Sequence, residues 1–376
     1  MNILHIAPQG EFGGAARITL DWIRHSELRH VAVVGGGGPV VALLERQGCT
    51  VHSVRPWRPR NVWPLVAEVA AIADREKIDL IHSCNCDGHL LGGLLRLKTA
   101  RPEMWFNHGP IERVAWSRFA RFIPTDALLV GSRSMERAQR RLGYWAKSLS
   151  VHRLGIDCEA FKADAAARAT TRARLGLRDE ICLAMVARFE PGKGQALLAG
   201  ALAEIRHRRP DLPFKIIFVG GMLGASEAHE YERNVKELVG TLGLNSSAIF
   251  TGHADNVSDY INAADIVVLA SIVAESFGLA VLEGMAMEKA TVAPNEGGPG
   301  EIISDGKDGY LFPARDSDLL ANLLETVMND VRHNPDRLAA LGAAARRKVC
   351  EHYDIATSAR ELEKVYRSLV VVPGKK

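Results

Sequence analysis

Two glutamates, Glu275 and Glu283, stand eight residues apart in Ala274-Glu275-Ser276-Phe277-Gly278-Leu279-Ala280-Val281-Leu282-Glu283-Gly284. Just upstream, Asp265-Ile266-Val267-Val268-Leu269 reads as a short buried strand. Downstream, the apolar spacing from Leu279 to Glu288 reads as a helix. Glu275 therefore falls in a strand-to-helix loop, and Glu283 about one turn inside the helix. A helix start offers unpaired N–H groups and a positive dipole end, which suits a diphosphate. Carboxylates flanking such a site accept hydrogen bonds from hydroxyls on either side of the anion. Phosphate in the middle with hydroxyl-rich groups on both sides is the layout of a nucleotide sugar. Two glutamates on a helix are more often simply solvated. The turn Ser276-Phe277-Gly278 and the phosphate-type signals elsewhere favour the ligand reading.

Those signals follow other strands. After Met1–Ala7 comes Pro8-Gln9-Gly10-Glu11-Phe12-Gly13-Gly14-Ala15. There Gly13 and Gly14 let backbone approach a ligand and a helix opens behind them. Arg188 and Lys193 bracket Ala187-Arg188-Phe189-Glu190-Pro191-Gly192-Lys193-Gly194. An arginine fork and a lysine point charge neutralise a diphosphate leaving group where no metal does; otherwise they are two surface cations. His108 ends the apolar run Met104-Trp105-Phe106, and His253 follows Phe250-Thr251-Gly252. The run Gly35 to Gly38 reads as a loose turn and not as a phosphate loop.

The elements that must position these residues alternate strand, loop and helix, twice over. Residues 2–7, 30–35, 50–54, 79–83, 103–107 and 126–131 read as strands. Helical stretches such as Ala15 to Arg24 and Val66 to Glu76 lie between them. A second series runs 181–186, 215–219, 248–251, 266–269 and 290–293. The alternation predicts an α/β fold of two doubly wound, Rossmann-like parallel sheets. A chain of 376 residues is long enough for two domains. The expected division is 1–165 and 166–354, with Ala163 to Asp179 as the linker region and a last helix, about 355–376, carrying Tyr366. Ligands bind at strand C-terminal ends, which puts the expected site in a cleft between the domains.

The chain resembles the family 4 retaining glycosyltransferases, which have the GT-B fold. The resemblance centres on Glu275-Ser276-Phe277-Gly278 through Glu283. It extends to Gly297-Gly298-Pro299-Gly300-Glu301-Ile302-Ile303, Asp305-Gly306, Gly309-Tyr310-Leu311 and the Arg188-to-Gly194 loop. It covers most of residues 180–315 closely and the N-terminal half more loosely. It implies an N-terminal acceptor domain, a C-terminal nucleotide-sugar domain, and a final helix that returns to the first. It also implies roles: Glu275 on donor-sugar hydroxyls, and Glu283 on the ribose. Ser276 and the backbone N–H groups of Phe277, Gly278 and Leu279 would lie at the sugar and phosphates. Arg188, Lys193, Gly13 and Gly14 would serve the diphosphate, His253 the base through its backbone, and His108 the sugar and acceptor. Gly109 stands where family members often have an acidic residue, a departure that touches the role of His108. The implied reaction is metal-independent and front-face, the leaving phosphate helping to deprotonate the acceptor. That accounts for the lack of a visible nucleophile-and-base pair. A two-carboxylate hydrolase needs both acids on one sugar, which the loop-and-helix placement disfavours.

Composition narrows the classes. Hydrophobic residues make up 47% and charged residues 24%, an ordinary globular balance. No run approaches a bilayer span, and Met1–Ala7 reads as a strand and not as a signal peptide. The six cysteines are scattered, with Cys84 and Cys86 too close for a zinc or redox pair. A reduced, cytoplasmic setting with no metal or cofactor is expected. Residues 1–150 carry a net +7 and the remainder −4, so the first half is the one to meet an anionic partner. Arg55 to Trp63 and Arg113 to Phe122 interleave arginine with aromatic residues. That mixture suits peripheral contact with an anionic membrane or an acidic glycan, unless the aromatics face the core. No nucleic-acid motif accompanies the charge. The expected partners are a nucleotide-sugar donor and a glycan or lipid-linked acceptor in cell-surface polysaccharide or glycoconjugate synthesis. A GT-B nucleotide-sugar epimerase and a non-catalytic nucleotide-sugar-binding protein are the rivals.

Overall fold

The computed structural model describes residues 1–7, 13–109, 115–221, 226–254 and 256–370. It divides into two compact units, Met1–Gly155 with Ile355–Lys376, and Ile156–Asp354. The first boundary thus falls ten residues before the expected 165/166. Its physical reason lies in residues 156–164, whose backbone the second unit holds: Ile156 N–H donates to the Tyr353 carbonyl, and Arg346 donates to the carbonyls of Cys158 and Phe161. The helix Ala165–Arg174 that follows, capped by Asp164, is held there too. Arg168 donates to the carbonyls of Asn262, Ala263 and Ala264 and pairs with Asp265.

Unit one is a seven-stranded parallel sheet in the order β3-β2-β1-β4-β5-β6-β7. The strands are β1 Asn2–Ala7, β2 Arg29–Gly35, β3 Thr50–Val54, β4 Leu80–Cys84, β5 Glu103–Asn107, β6 Ala127–Val130 and β7 Leu149–Val151. Central strands of such a sheet are covered on both faces. Accordingly Ile3, Leu4, Leu80, Ile81, Met104, Trp105 and Phe106 are all fully buried. The sequence reading missed β7, three residues of mixed polarity at the sheet edge, where no apolar run marks a strand.

The last helix, Ile355–Val370, lies on this sheet. Trp22 Nε1 donates to Ser358 Oγ at 3.0 Å, and Ser358 Oγ donates to the Arg153 carbonyl at 2.9 Å. That hydroxyl has one proton, so His152 Nε2, 3.2 Å away, must be its second donor. Tyr366 is buried with its hydroxyl 2.7 Å from His82 Nδ1. His5 Nε2 meets His30 Nδ1 at 2.9 Å, and the His5 and His82 rings are 4.9 Å apart. Burial holds His30 and His152 down to about 4 and lowers His5 and His82 well below 6.5. This layer of neutral imidazoles binds the end of the chain to its beginning.

Unit two is a six-stranded parallel sheet in the order β10-β9-β8-β11-β12-β13. It comprises β8 Ile181–Val186, β9 Phe214–Val219, β10 Ala248–Phe250, β11 Ile266–Val268, β12 Ala290–Pro294 and β13 Tyr310–Phe312. Its core joins Leu183, Met185, Phe218, Val268 and Val292 to Leu198, Leu202, Leu320 and Leu324 of the covering helices. β13 was also missed, being only three residues that overlap the Gly309-Tyr310-Leu311 motif. No helix among the described residues is long and apolar enough to cross a membrane.

Candidate active site

In unit two, β8 and β11 are hydrogen-bonded neighbours. The chain runs outward from β8 through β9 to β10 on one side, and from β11 through β12 to β13 on the other. Loops leaving the carboxyl ends of such a pair diverge and open a crevice, the usual ligand position in a doubly wound sheet. The two loops are 187–194 and 269–278, and they carry most of the chemistry singled out from the sequence.

Lys193 Nζ donates to Glu275 Oε1 at 2.8 Å, and the buried Ser271 donates to the same oxygen. Both partners of the ion pair are largely enclosed, with side-chain exposures of 22% and 13%. The loops are also laced through backbone: Ile272 N–H donates to the Gly192 carbonyl at 3.0 Å. Gly194 sits at φ +78°, and a Cβ there would lie 1.9 Å from the Ala270 carbonyl oxygen. Only glycine allows that approach.

A third loop, after β12, presses on the first two. Gly298 N–H donates to the Glu275 carbonyl at 2.9 Å. A Cβ on Gly297 would come 2.3 Å from that same oxygen, and one on Gly298 2.1 Å from the Phe277 carbonyl. The Gly297-Gly298 pair therefore serves to hold the glutamate loop. Phe277 anchors it from beneath, its buried ring 6.0 Å from that of Tyr353 in an edge-on contact.

Gly278, at φ +99°, turns the chain into the helix Leu279–Ala286. No side chain caps this start and its first turn carries no acid, so it keeps its affinity for an anion. Glu283 lies in the middle of the helix and is buried, 3% exposed. Arg188 pairs with Glu190 at 2.7 Å but is half exposed. Such a pair is worth only about 0–1 kcal/mol, so an arriving anion displaces it readily. The Arg188 carbonyl is held by Nε2 of the buried Gln195 at 2.8 Å. His253 is exposed after β10. The loops below it are fixed by Gly220, whose Cβ would meet the Ala187 carbonyl oxygen at 2.2 Å, and by Gly221, whose Cβ would meet the His253 nitrogen at 2.8 Å.

In unit one, Gly13 precedes and Gly14 opens the helix Gly14–Arg24. Gly13 is in extended backbone open to any residue. The rest of that loop, residues 8–12, lies outside the described residues. His108 follows β5, its ring 4.5 Å from that of Phe106 and 6.2 Å from that of Trp22. Burial pushes it down to about 3, so near neutral pH it is an uncharged imidazole.

Unit two thus brings together Lys193, Glu275, Ser276, Phe277, Gly278, Leu279 and Glu283, with Arg188 on the same loop as Lys193. Gly13, Gly14 and His108 belong to unit one. Sequence reasoning missed Ser271, Gln195 and the pair Gly220-Gly221. The glycine pair was detectable, standing directly after a strand as Gly13-Gly14 does. Ser271 and Gln195 are single polar residues whose use depends on tertiary placement. Among the described residues, no three His, Cys, Asp or Glu side chains cluster as metal ligands.

Comparison with known proteins bears on this arrangement. Residues 167–348 match the family model described as glycosyl transferases group 1, and residues 12–160 match that of glycosyltransferase family 4. A GDP-mannose-dependent alpha-(1-6)-phosphatidylinositol monomannoside mannosyltransferase of Mycolicibacterium smegmatis is 29% identical over 73% of this chain and 72% of its own. A D-inositol 3-phosphate glycosyltransferase of Rhodococcus jostii is 32% identical over 54% of this chain and 44% of its own. Among solved structures, Anabaena HepE in complex with UDP and glucose superposes with a TM-score of 0.88 at 23% identity, covering 98% of this chain and all of that one. At that identity the likeness establishes the fold.

Proposed function

Because the chain belongs to the family 4, group 1 glycosyltransferases and has their GT-B fold, we propose that it is a retaining hexosyltransferase. It takes its sugar from a nucleotide-diphosphate donor and passes it, without a metal, to a hydroxyl of a glycan or lipid-linked acceptor. The reading rests chiefly on one observation: Lys193, Glu275 and Ser271 converge at the β8/β11 switch, beside an uncapped helix start.

The proposed roles are those the family resemblance implies, and the geometry of unit two supports them. The donor diphosphate lies at the start of Leu279–Ala286, where backbone N–H groups and the helix dipole meet its charge. Lys193, with Arg188 freed from Glu190, neutralises the charge that grows on the leaving phosphate. With Lys193 and Ser271 both on Oε1, Glu275 has Oε2 to accept a hydroxyl of the transferred sugar. Glu283 receives the ribose. The resemblance assigns His108 of unit one to the sugar and acceptor, and as an uncharged imidazole it can accept a hydrogen bond as well as donate one. No protein nucleophile intervenes. The acceptor oxygen attacks the anomeric carbon on the face the phosphate leaves, and its proton passes to that phosphate.

GDP-mannose and UDP-glucose head the donors to try, given the mannosyltransferase relative and the ligands of the solved structure. Incubation with each donor, followed by proton NMR of the early product, is expected to show nucleoside diphosphate release. The sugar should emerge with the anomeric configuration of the donor, at a rate unaltered by EDTA. An inverted product, dependence on added divalent metal, or an epimerised donor formed without transfer would each overturn the proposal.

A further inference from the structure

The positive charge of unit one is concentrated. Residues 113–149 hold eight arginines and lysines against two acids, a net +6, whereas residues 1–150 together carry +7. The same stretch bears three of the largest exposed apolar side chains: Phe119 at 64%, Phe122 at 59% and Trp145 at 64% exposure. They lie close together. Phe119 and Phe122 are one turn apart on the 3₁₀ helix Ala115–Phe122. Trp145 N–H donates to the Arg121 carbonyl at 3.0 Å. The Arg121 guanidinium lies 4.7 Å over the Phe122 ring. Leu97, 59% exposed, adjoins them one turn beyond Gly93, which packs on Ile123.

Two further facts identify the surface. Phe122, Trp145 and Leu97 each precede the start of a strand, β6, β7 and β5 respectively. They therefore occupy the amino-terminal edge of the sheet, opposite the end where His108 and the glycine loop emerge. Beside them, Arg137, Arg140, Arg141 and Lys147 are exposed. The sequence offered two explanations for interleaved arginine and aromatic residues, and the structure separates them. Around 55–63 the motif is divided, Trp57 packing against the core while Trp63 is exposed. Around 113–122, Phe119 and Phe122 face outward.

We infer that this edge is a docking surface for a bilayer bearing anionic headgroups. Rings set among cations suit the interfacial zone, where the aromatic side chain reaches the acyl boundary and the cation meets lipid phosphate. A soluble polyanion would engage the arginines and leave the rings in water. A second copy would set one cationic surface against another across an isologous contact. The inference does not depend on the donor site of unit two, and the two are tested apart.

The full chain is mixed with sucrose-loaded vesicles of phosphatidylcholine, alone or with about a third phosphatidylglycerol, and sedimented. Binding is expected only to the anionic vesicles and should weaken at high salt. The triple variant F119S/F122S/W145S should bind them roughly tenfold or more weakly, and R137Q/R141Q should lose a part that vanishes at high salt. All three side chains are exposed, so the triple variant should keep its melting temperature and its nucleotide release from soluble donor. The arginine variant provides an independent arm should it not. Equal partition onto neutral vesicles, no binding, or binding unchanged in both variants would overturn the inference. So would a wild-type dimer that the triple variant dissolves while vesicle binding persists, since the patch would then join copies of the chain.

Discussion

Replacing Lys193 with alanine is expected to lower kcat by about 10²–10³-fold, with the melting temperature nearly unchanged. Removing one preorganised electrostatic donor from a site of developing charge costs about 3–4 kcal/mol in the transition state. Lys193 is mostly enclosed and lies 2.8 Å from Glu275 Oε1, so its charge acts in a poorly screened environment. The substitution removes two things at once: the cation proposed to face the diphosphate, and the stronger of the two donors that orient Glu275. Only Ser271 remains on that carboxylate. Glu275→Gln should therefore cost nearly as much, and the double variant little more than either alone, because groups that act as a unit are not additive. Single-turnover measurement on all three proteins decides this. Simple additivity would mean that the lysine and the glutamate work separately, and an undiminished rate in K193A would remove the lysine from the mechanism.

The second large effect is acid sensitivity confined to unit one. Of the histidines found buried, all lie there. Desolvation lowers His30 and His152 to about 4, opposed only weakly by Glu363 and Glu361. A histidine whose folded pKa lies below its unfolded value of about 6.5 costs nothing above that pH, where both states are neutral. As pH falls from 6.5 toward 4, the unfolded chain takes up a proton that the folded chain refuses, and stability is lost across that window. At pH 5 the two residues together account for roughly 4 kcal/mol of loss. That is a large part of a typical domain's stability of about 5–15 kcal/mol. His5 and His82 add in the same direction. Among the described residues, His5 Nδ1 and His30 Nε2 have no hydrogen-bond partner, so a proton added there would find no acceptor. Denaturant melts at pH 7.5 and pH 5 should show one early transition in acid, assigned to unit one by tryptophan fluorescence, since all six tryptophans lie between residues 22 and 145. In His152→Gln the difference between the two pH values should shrink by about 2 kcal/mol. Equal losses in both units would place the acid-sensitive groups elsewhere.

The parallel sheets were legible because their strands are covered on both faces and read as unbroken apolar runs. Ile181-Cys182-Leu183-Ala184-Met185-Val186 is an example, and its bounds coincide with β8. The edge strands β7 and β13 were not, since three residues are too few to show a period. The glutamate loop was legible as a motif. What motif reading could not supply was the contact of Lys193 with Glu275, because those residues are 82 apart in sequence and meet only through the β8–β11 pairing. The function of Gly194 and Gly297 became clear only with the Ala270 and Glu275 carbonyls in place. The histidine layer was invisible for a related reason. His5, His30, His82 and His152 come from four different strands or strand ends, and register alone puts His5 beside His82. The outward aromatics at 119 and 122 share a face in a 3₁₀ or an α-helix alike, so spacing alone did not say whether that face meets the core or solvent.

Hydrogen exchange with and without a saturating nucleotide-diphosphate sugar tests the central claim most directly, since it reports where the donor sits and needs no acceptor. Protection is expected in the Arg188–Gln195 loop and from Ser271 to Glu283, and should be lost in K193A. Protection elsewhere with those two segments unchanged would contradict the placement of the donor at the β8/β11 switch.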